Sequence, residues 1–416
     1  MNSLYQILKP ASGACAPAYY SHTGLTQIES CPRRWWLLHS TYEALSGRYP
    51  EPVSSGAMIG SIVHAALERF SVDFSRSGMS EGKPGLKEFR RQFRIREFVR
   101  EKRRQFLEGA SANPRAQVAL LGTSVSVDGC ISLFKDLVRR SYDQVVLEST
   151  ITTENDQREK EALAGPRKGE AKGYGTGRDV PCPAVLPEVE LRLEDPPVRG
   201  KIDLVVTARD GDTLIEYKTG EPRPEHESQS RLYAFLWWSC TGRLARERQL
   251  LYPNQDVVRL GRMSRTELEQ EGTSLKARVA RAKKELESSL PSALIEAERC
   301  RSCSVRHLCA EYWTAQETSL SRWTQEAGVP STPLTSSLEW RDLEIQLVHA
   351  QRLAEGFIAH GGPDRTTGQV VCKVPAKFRS SAMDSHEKVR LLSVGLMRDG
   401  GGTRVVWSAT SEAFWR

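Results

Sequence analysis

The sequence predicts an α/β protein with a helical N-terminal part and a small β-rich C-terminal domain. Three observations carry this. Two short apolar runs within residues 200–217 flank Asp210-Gly211, a hairpin signal because both central residues of a type I′ turn need positive φ. Residues 58–72 and 86–107 space their apolar side chains as helices do. Beyond Pro330, short apolar runs at 343–347, 368–374, 388–397 and 403–410, punctuated by Gly361-Gly362 and Gly400-Gly-Gly402, read as strands.

Taken in order, residues 1–20 carry Pro10, Gly13 and Pro17 and are expected to be loose. A helix follows, with cap residues from Ser21 to Thr26 and apolar surface from Ile28, Trp35, Trp36 and Leu38. In the helix over 58–72, Ile62, Ala65, Ala66, Leu67 and Phe70 share spacing with His64. A lone histidine there is most often a satisfied surface or core residue. Residues 86–107 hold nine Lys or Arg against three Glu, a net +6, interleaved with Phe89, Phe93, Phe98 and Phe106. Two readings stay open: arginines laid along DNA phosphates, or an amphipathic helix with a solvated face. Residues 113–150 continue helical, with Leu133, Phe134, Leu137 and Val138 as core.

Residues 152–182 are polar and Gly-rich and read as a flexible insertion. Val185 to Leu193 is a strand carrying Glu188 and Glu190 on one face; Glu188 either approaches the chemistry described next or belongs to a salt-bridged edge. Asp195-Pro-Pro leads into the hairpin. The run after Gln229, LYAFLWWSC, is a buried helix on which Gln229 and Tyr233 share a face. Residues 245–260 form a further strand, and Leu268 to Leu286 a basic helix.

With a two-residue turn at Asp210-Gly211, paired residue numbers sum to 421, and Asp203 lies opposite Lys218 with Glu216 diagonal to it. Alternation then puts Asp203, Glu216 and Lys218 on one face and Leu204, Val206, Ile215 and Tyr217 on the other. Two carboxylates held together repel and lose solvation. A hard divalent cation resolves that, since oxygen ligands suit Mg²⁺ or Mn²⁺. A solvated strand face with a surface ion pair is the competing reading.

Cys300, Cys303 and Cys309 give C-x2-C-x5-C, with Cys31 far upstream. Alone, Cys31 reads equally as a small buried apolar residue. Nine cysteines without an export signal argue for thiols or metal ligands rather than disulfides. Cys15, Cys130, Cys182, Cys240 and Cys372 show no ligand spacing.

Together these residues resemble the RecB-like branch of the PD-(D/E)XK nuclease superfamily, from roughly Gly24 to Trp313. Asp203, in Gly-Lys-Ile-Asp, stands at the first acidic position, with Ile202 where the pattern has proline. Glu216-Tyr217-Lys218 is the (D/E)XK element. Gln229 to Tyr233 matches the QxxxY element, and Gly60 to His64 the upstream helix whose histidine is a further metal ligand. The four cysteines match members that carry a [4Fe–4S] cluster, including AddB-type subunits and CRISPR-associated exonucleases.

The resemblance implies a restriction-endonuclease-like core, a mixed central sheet flanked by helices, and a metal-dependent deoxyribonuclease, of exonuclease type, in repair, recombination or defence against foreign DNA. His64, Asp203, Glu216 and the Tyr217 carbonyl would hold Mg²⁺ or Mn²⁺. Asp203, Glu216 and Lys218 would be catalytic, and Gln229 and Tyr233 would organise the site or grip DNA. Cys31, Cys300, Cys303 and Cys309 would hold the cluster; zinc is the alternative there. A non-catalytic DNA-end or partner-binding module that keeps the fold is the rival.

The domain reading is a nuclease module over 21–315, a linker over 316–335 and a small β-rich domain over 336–416, of which a barrel of the oligonucleotide-binding kind is one form. A net charge of +7 fits a nucleic-acid partner, with a free end or single strand. No run of about 18 apolar residues is present, so no membrane span is expected, and the N-terminus shows no secretory pattern, so the expected location is cytoplasmic. With no Walker A pattern, any helicase or ATPase activity would come from a partner protein.

Overall fold

The computed structural model describes residues 7–45, 47–77, 83–113, 115–151, 169–171, 184–207, 211–315, 340–353, 356–362, 370–375, 388–399, 402–408 and 410–415. The helices are α1 (His22–Ser30), α2 (Pro32–His39), α3 (Ser55–Arg76), α4 (Lys83–Gln92), α5 (Ile95–Ser111), α6 (Val118–Ser124), α7 (Val127–Ile151), α8 (Pro224–Thr241), α9 (Arg265–Leu286) and α10 (Ala297–Arg301). The strands are β1 (Thr41–Tyr42), β2 (Gly47–Arg48), β3 (Gly169–Ala171), β4 (Ala184–Leu193), β5 (Val198–Thr207), β6 (Asp212–Tyr217), β7 (Ala245–Leu251), β8 (Val258–Leu260), β9 (Trp340–Leu353), β10 (Gly356–Gly362), β11 (Val370–Pro375), β12 (Lys388–Asp399), β13 (Gly402–Val406) and β14 (Glu412–Trp415). Contacts gather the chain into two compact units, one of Ala16–Thr26 with Pro52–Lys284, the other of Met1–Cys15, Gln27–Glu51 and Glu285–Arg416.

The first unit is built on a six-stranded sheet of order β3-β4-β5-β6-β7-β8. The β6–β7 pair is parallel and the others antiparallel, so the sheet is mixed. A parallel pair needs a crossover, and α8 supplies it. Pro224 opens α8, where a missing N–H costs nothing, and Gly242 closes it in the left-handed region at φ 75°. Leu204, Val206, Ile215 and Tyr217 join a core with Met58, Ile62, Val63 and Phe70 of α3 and with Phe134 and Leu137 of α7. Phe70 makes edge contacts with Phe89, Phe93, Phe134 and Tyr142, binding α3, α4 and α7 around one ring.

The hairpin register differs from the sequence expectation. Leu204 pairs with Ile215, Val205 with Leu214 and Val206 with Thr213, so the pairs sum to 419. β5 ends at Thr207 and β6 begins at Asp212, so four residues separate them in sequence where a two-residue turn was expected, and Gly211, the described residue among them, has φ 129°. A two-residue slip preserves side-chain parity, which is why the predicted faces survive it. Two other expectations change. Residues 86–107 form two helices, and their arginines are largely engaged: Arg104 pairs with Glu101 and Glu108, Arg91 with Glu88, and Arg103 donates to the Gly122 and Val125 carbonyls. That favours the amphipathic reading over a phosphate-binding stripe. The 152–182 insertion lies outside the described residues except for Gly169–Ala171, which add β3 to the edge of β4.

In the second unit, five strands close on themselves in the order β9-β10-β11-β13-β12 and back to β9, with only the β11–β13 pair parallel. Strand β14 extends β12. Strands β10 and β14 were not foreseen, and β9 runs well beyond the expected 343–347. The 316–335 linker lies outside the described residues. Residues expected to be loose are tied down: Ser12 bridges Thr41 in this unit, and Tyr20 bridges Val198 in the other. The helix expected from Ser21 breaks at Cys31, because Pro32 starts α2 and Cys31 turns extended at φ −165°.

Candidate active site

The site lies in the first unit, where β5, β6, α3 and α8 meet. Asp203 sits on β5 just before that strand begins to pair with β6. Its Oδ2 accepts the Tyr217 N–H at 2.7 Å, so the carboxylate ties the two strands together where their ladder ends. Its Oδ1 lies 3.5 Å from Nδ1 of His64. His64 reaches it because α3 runs close by: a Cβ on Gly60, one turn earlier, would lie 3.1 Å from Thr219 Oγ1. Glu216 is buried at the end of β6. Lys218 follows, its backbone N–H held by the Leu251 carbonyl at 2.9 Å.

Gln229 and Tyr233, one turn apart on α8, complete the arrangement. Lys218 Nζ donates to Glu216 Oε1 at 2.9 Å and to Gln229 Oε1 at 2.7 Å. The Gln229 amide donates to Glu216 Oε1 at 3.0 Å and to the Tyr233 hydroxyl at 2.7 Å. Six of the residues singled out in the sequence (His64, Asp203, Glu216, Lys218, Gln229 and Tyr233) are thus linked, with the Tyr217 backbone between them.

The electrostatics of the cluster call for positive charge. Burial pushes the Glu216 carboxyl above the ordinary carboxylate range, and Asp203 adds to that. Burial opposes charging His64, but Asp203 and, farther off, Glu216 raise it above the usual histidine value. Glu216 Oε2 is buried and has no hydrogen-bond partner. A buried carboxylate oxygen without a donor is costly. Two acids, a histidine and one orphaned oxygen are a donor set that fits a hard divalent cation. As placed, no three His, Cys, Asp or Glu side chains among the described residues are grouped to hold a metal ion.

Glu188 is the additional acid. It lies between the pairs Pro187–Leu204 and Val189–Ile202, opposite Asp203, and has φ 54° inside a strand. Such a conformation is costly for a residue other than glycine and re-aims the side chain. Burial raises its carboxyl to about 7 despite an ion pair with Lys201. The sequence offered Glu188 either as an acid approaching the site or as part of a salt-bridged edge; the backbone kink has no sequence signal.

The four cysteines lie in the second unit and line one cavity with Arg33, Arg34, Arg299 and Arg306. All four are free thiols. Burial raises Cys303, with Cys31 close enough to add to the shift, and pushes Cys309 up to about 12. Arg33 is buried and reaches the Pro291 carbonyl and Glu311, both at 2.7 Å, joining α2 to the cysteine segment. His307 is fully buried, its Nε2 2.8 Å from the Tyr49 hydroxyl, and it stacks on Phe414.

No curated protein sequence matches the chain. Among solved structures, one described as "Crystal structure of SSO0001" is 20% identical over 30% of this chain and 60% of its own length, with a TM-score of 0.21. Two others are a murine DNA-binding protein bound with double-stranded DNA, 8% identical over 56% of this chain and 94% of that one at a TM-score of 0.16, and p202 HIN1 in complex with a 12-mer duplex, 6% identical over 64% and 99% at 0.19. Likenesses at that level define no shared fold. The family model of the PD-(D/E)XK nuclease superfamily matches residues 19–310, a span that holds every residue of the acid cluster and all four clustered cysteines. With a mixed sheet flanked by helices around that cluster, the chain belongs to the PD-(D/E)XK nuclease superfamily.

Proposed function

We propose that the protein is a Mg²⁺- or Mn²⁺-dependent deoxyribonuclease of the RecB-like kind, acting as an exonuclease on DNA that offers a free end or a single strand. The observation that carries the reading is the buried, unpartnered Oε2 of Glu216 beside Asp203 and His64. His64, Asp203, Glu216 and the Tyr217 carbonyl would hold the cation, which when bound supplies an acidified water and positive charge for a phosphate. Lys218 Nζ sits between Glu216 and Gln229, where it can orient the attacking water or meet negative charge building on the phosphoryl oxygens. Gln229 and Tyr233 hold that lysine and Glu216 in place. The biological setting we favour is repair, recombination or defence against foreign DNA, with any motor supplied by a partner protein.

Cys31, Cys300, Cys303 and Cys309 are proposed to hold a [4Fe–4S] cluster. Four free thiols lining one cavity supply its usual ligands. Its role is structural, since it ties α2 to a segment more than 260 residues later. Iron and sulfide content against zinc content separates the cluster from the zinc alternative.

The test is cleavage of end-labelled single- and double-stranded DNA by anaerobically purified protein, with Mg²⁺, Mn²⁺ or EDTA. Metal-dependent cutting is expected, with Lys218→Ala and Glu216→Ala each reducing it by more than about 100-fold. A folded, cluster-loaded wild type that cuts nothing would favour a DNA-end or partner-binding module instead.

A further inference from the structure

A cavity of about 300 Å³ opens beside the acid cluster. Gln229 and Tyr233 form one wall, and Glu190, Arg192, Arg199 and Lys201 line another. The first turn of α1 closes a third side at His22, whose Nε2 lies 2.8 Å from Ser228 Oγ. Arg192 and Arg199 are direct register partners across β4 and β5. Side chains at such positions share a face, and like charges there repel. The Arg192 guanidinium lies over the Tyr19 ring at 4.3 Å, which orients it, and on its other side Arg192 is the register partner of Glu170 on β3. The adjacent pair, Glu190 with Lys201, is of opposite sign, but Lys201 also pairs with Glu188 and Glu68. Arg199 is exposed, and no carboxylate among the described residues pairs with it.

Two facing arginines, one of them with no carboxylate partner among the described residues, stand in a cavity that shares Gln229 and Tyr233 with the acids and offer their donors to an anion. Arginine presents a planar fork of donors that matches phosphate oxygens. We infer that this cavity is a phosphate subsite for the DNA strand, in which Arg199 and Arg192 bind the phosphate of a nucleotide next to the cleaved bond. The inference rests on the nuclease reading. The phosphate can be a terminal 5′-phosphate or an internal phosphodiester, whose recognition chemistry is the same.

Binding without cutting tests it. The full chain in EDTA would be titrated, by fluorescence anisotropy at several salt concentrations, against 3′-labelled single strands bearing 5′-phosphate or 5′-hydroxyl, with circular single-stranded DNA as competitor. Arg192→Ala and Arg199→Ala are expected to weaken binding several-fold and to lower the salt slope by about one unit each. Arg199→Lys, which keeps the charge, should keep most of the slope, and Arg96→Ala on α5 should change neither. A loss confined to 5′-phosphorylated strands assigns the terminal phosphate; an equal loss against circular DNA assigns an internal one. Wild-type affinity and slope in folded Arg192→Ala and Arg199→Ala, or a wild type that binds none of these DNAs, would overturn the subsite. Cutting measured separately in Mg²⁺ shows whether the nuclease reading falls with it.

Discussion

The Lys218 ammonium donates to the amide oxygen of Gln229 at 2.7 Å, and this bond fixes which way the glutamine faces. With its oxygen on the lysine, its nitrogen must point at Glu216 Oε1 and the Tyr233 hydroxyl, as it does. One amide side chain thus holds the lysine and the buried acid in register. Removing it should spare the fold and disturb the chemistry. Gln229→Ala is expected to lower kcat by about 10- to 100-fold, the usual penalty for losing a group that orients a ligand or catalyst, with KM near the wild-type value. A normal kcat would mean that Lys218 is positioned by Glu216 alone.

Gly200 is the second test of how the site is held. A Cβ there would lie 2.7 Å from Leu236 Cδ1 and 2.9 Å from the Tyr233 ring. The bare backbone is what lets α8 lie this close to β5. Gly200→Ala should cost about 1–3 kcal/mol, the range for overpacking, and should reduce cutting by moving Tyr233. Gly220→Ala, with open space around its Cβ, should stay within about 0.5 kcal/mol. Chemical denaturation of both variants beside wild type measures the difference; equal midpoints would show that Tyr233 yields freely.

The residues of the site were legible in the sequence for a definite reason. Parity along a strand is insensitive to even slips, so Asp203, Glu216 and Lys218 came out together although the register was wrong by two. The slip itself arose because Asp-Gly suggested a two-residue turn, whereas Gly211 serves a longer connection. The barrel was half legible. Gly361-Gly362 looked like punctuation but belong to β10, where the register shifts after His360. The kink at Glu188 and the facing arginines at 192 and 199 are products of pairing between strands, and no local pattern announces them.

The acid cluster also sets a pH dependence. Burial places the Glu188 carboxyl at about 7 and raises Glu216, and Asp203 raises His64. A group whose folded pKa lies above its unfolded one binds more protons in the folded state, so its stabilising contribution is present at low pH and lost as pH rises through the folded pKa. The metal-free protein should therefore lose melting temperature between about pH 5 and pH 8 relative to Glu188→Gln, which removes part of the slope. The proposed Mg²⁺ or Mn²⁺ would bind the deprotonated acids, so its stabilisation should grow over the same interval. Thermal melts with and without metal at pH 5.5, 7 and 8 check both statements; a metal effect independent of pH would count against ligation by these acids.

The loop carrying Cys303 and Cys309 is fastened to the barrel through one carboxylate. Asp342 on β9 accepts the Arg306 guanidinium on both oxygens, the Tyr312 hydroxyl at 2.9 Å and the Ser393 N–H at 2.7 Å. Ser393 sits at φ 53° in a strand, beside a register shift of β12, so the carboxylate also satisfies a distorted backbone. The side chains of Arg306 and Asp342 are only 8% and 4% exposed. Breaking a buried pair strands the remaining charge, at about 3–5 kcal/mol. Asp342→Ala should therefore lower stability by that order, and because Arg306 lies between two of the cysteines, it should also reduce the iron of the cluster proposed there. Arg390→Ala, which removes a partner of Glu344 and of the His307 carbonyl on the same loop, should act in the same direction. Denaturant unfolding with iron and sulfide assays on each variant provides the measurement. Full iron content in a destabilised Asp342→Ala would mean that the cysteine loop keeps its shape without the barrel.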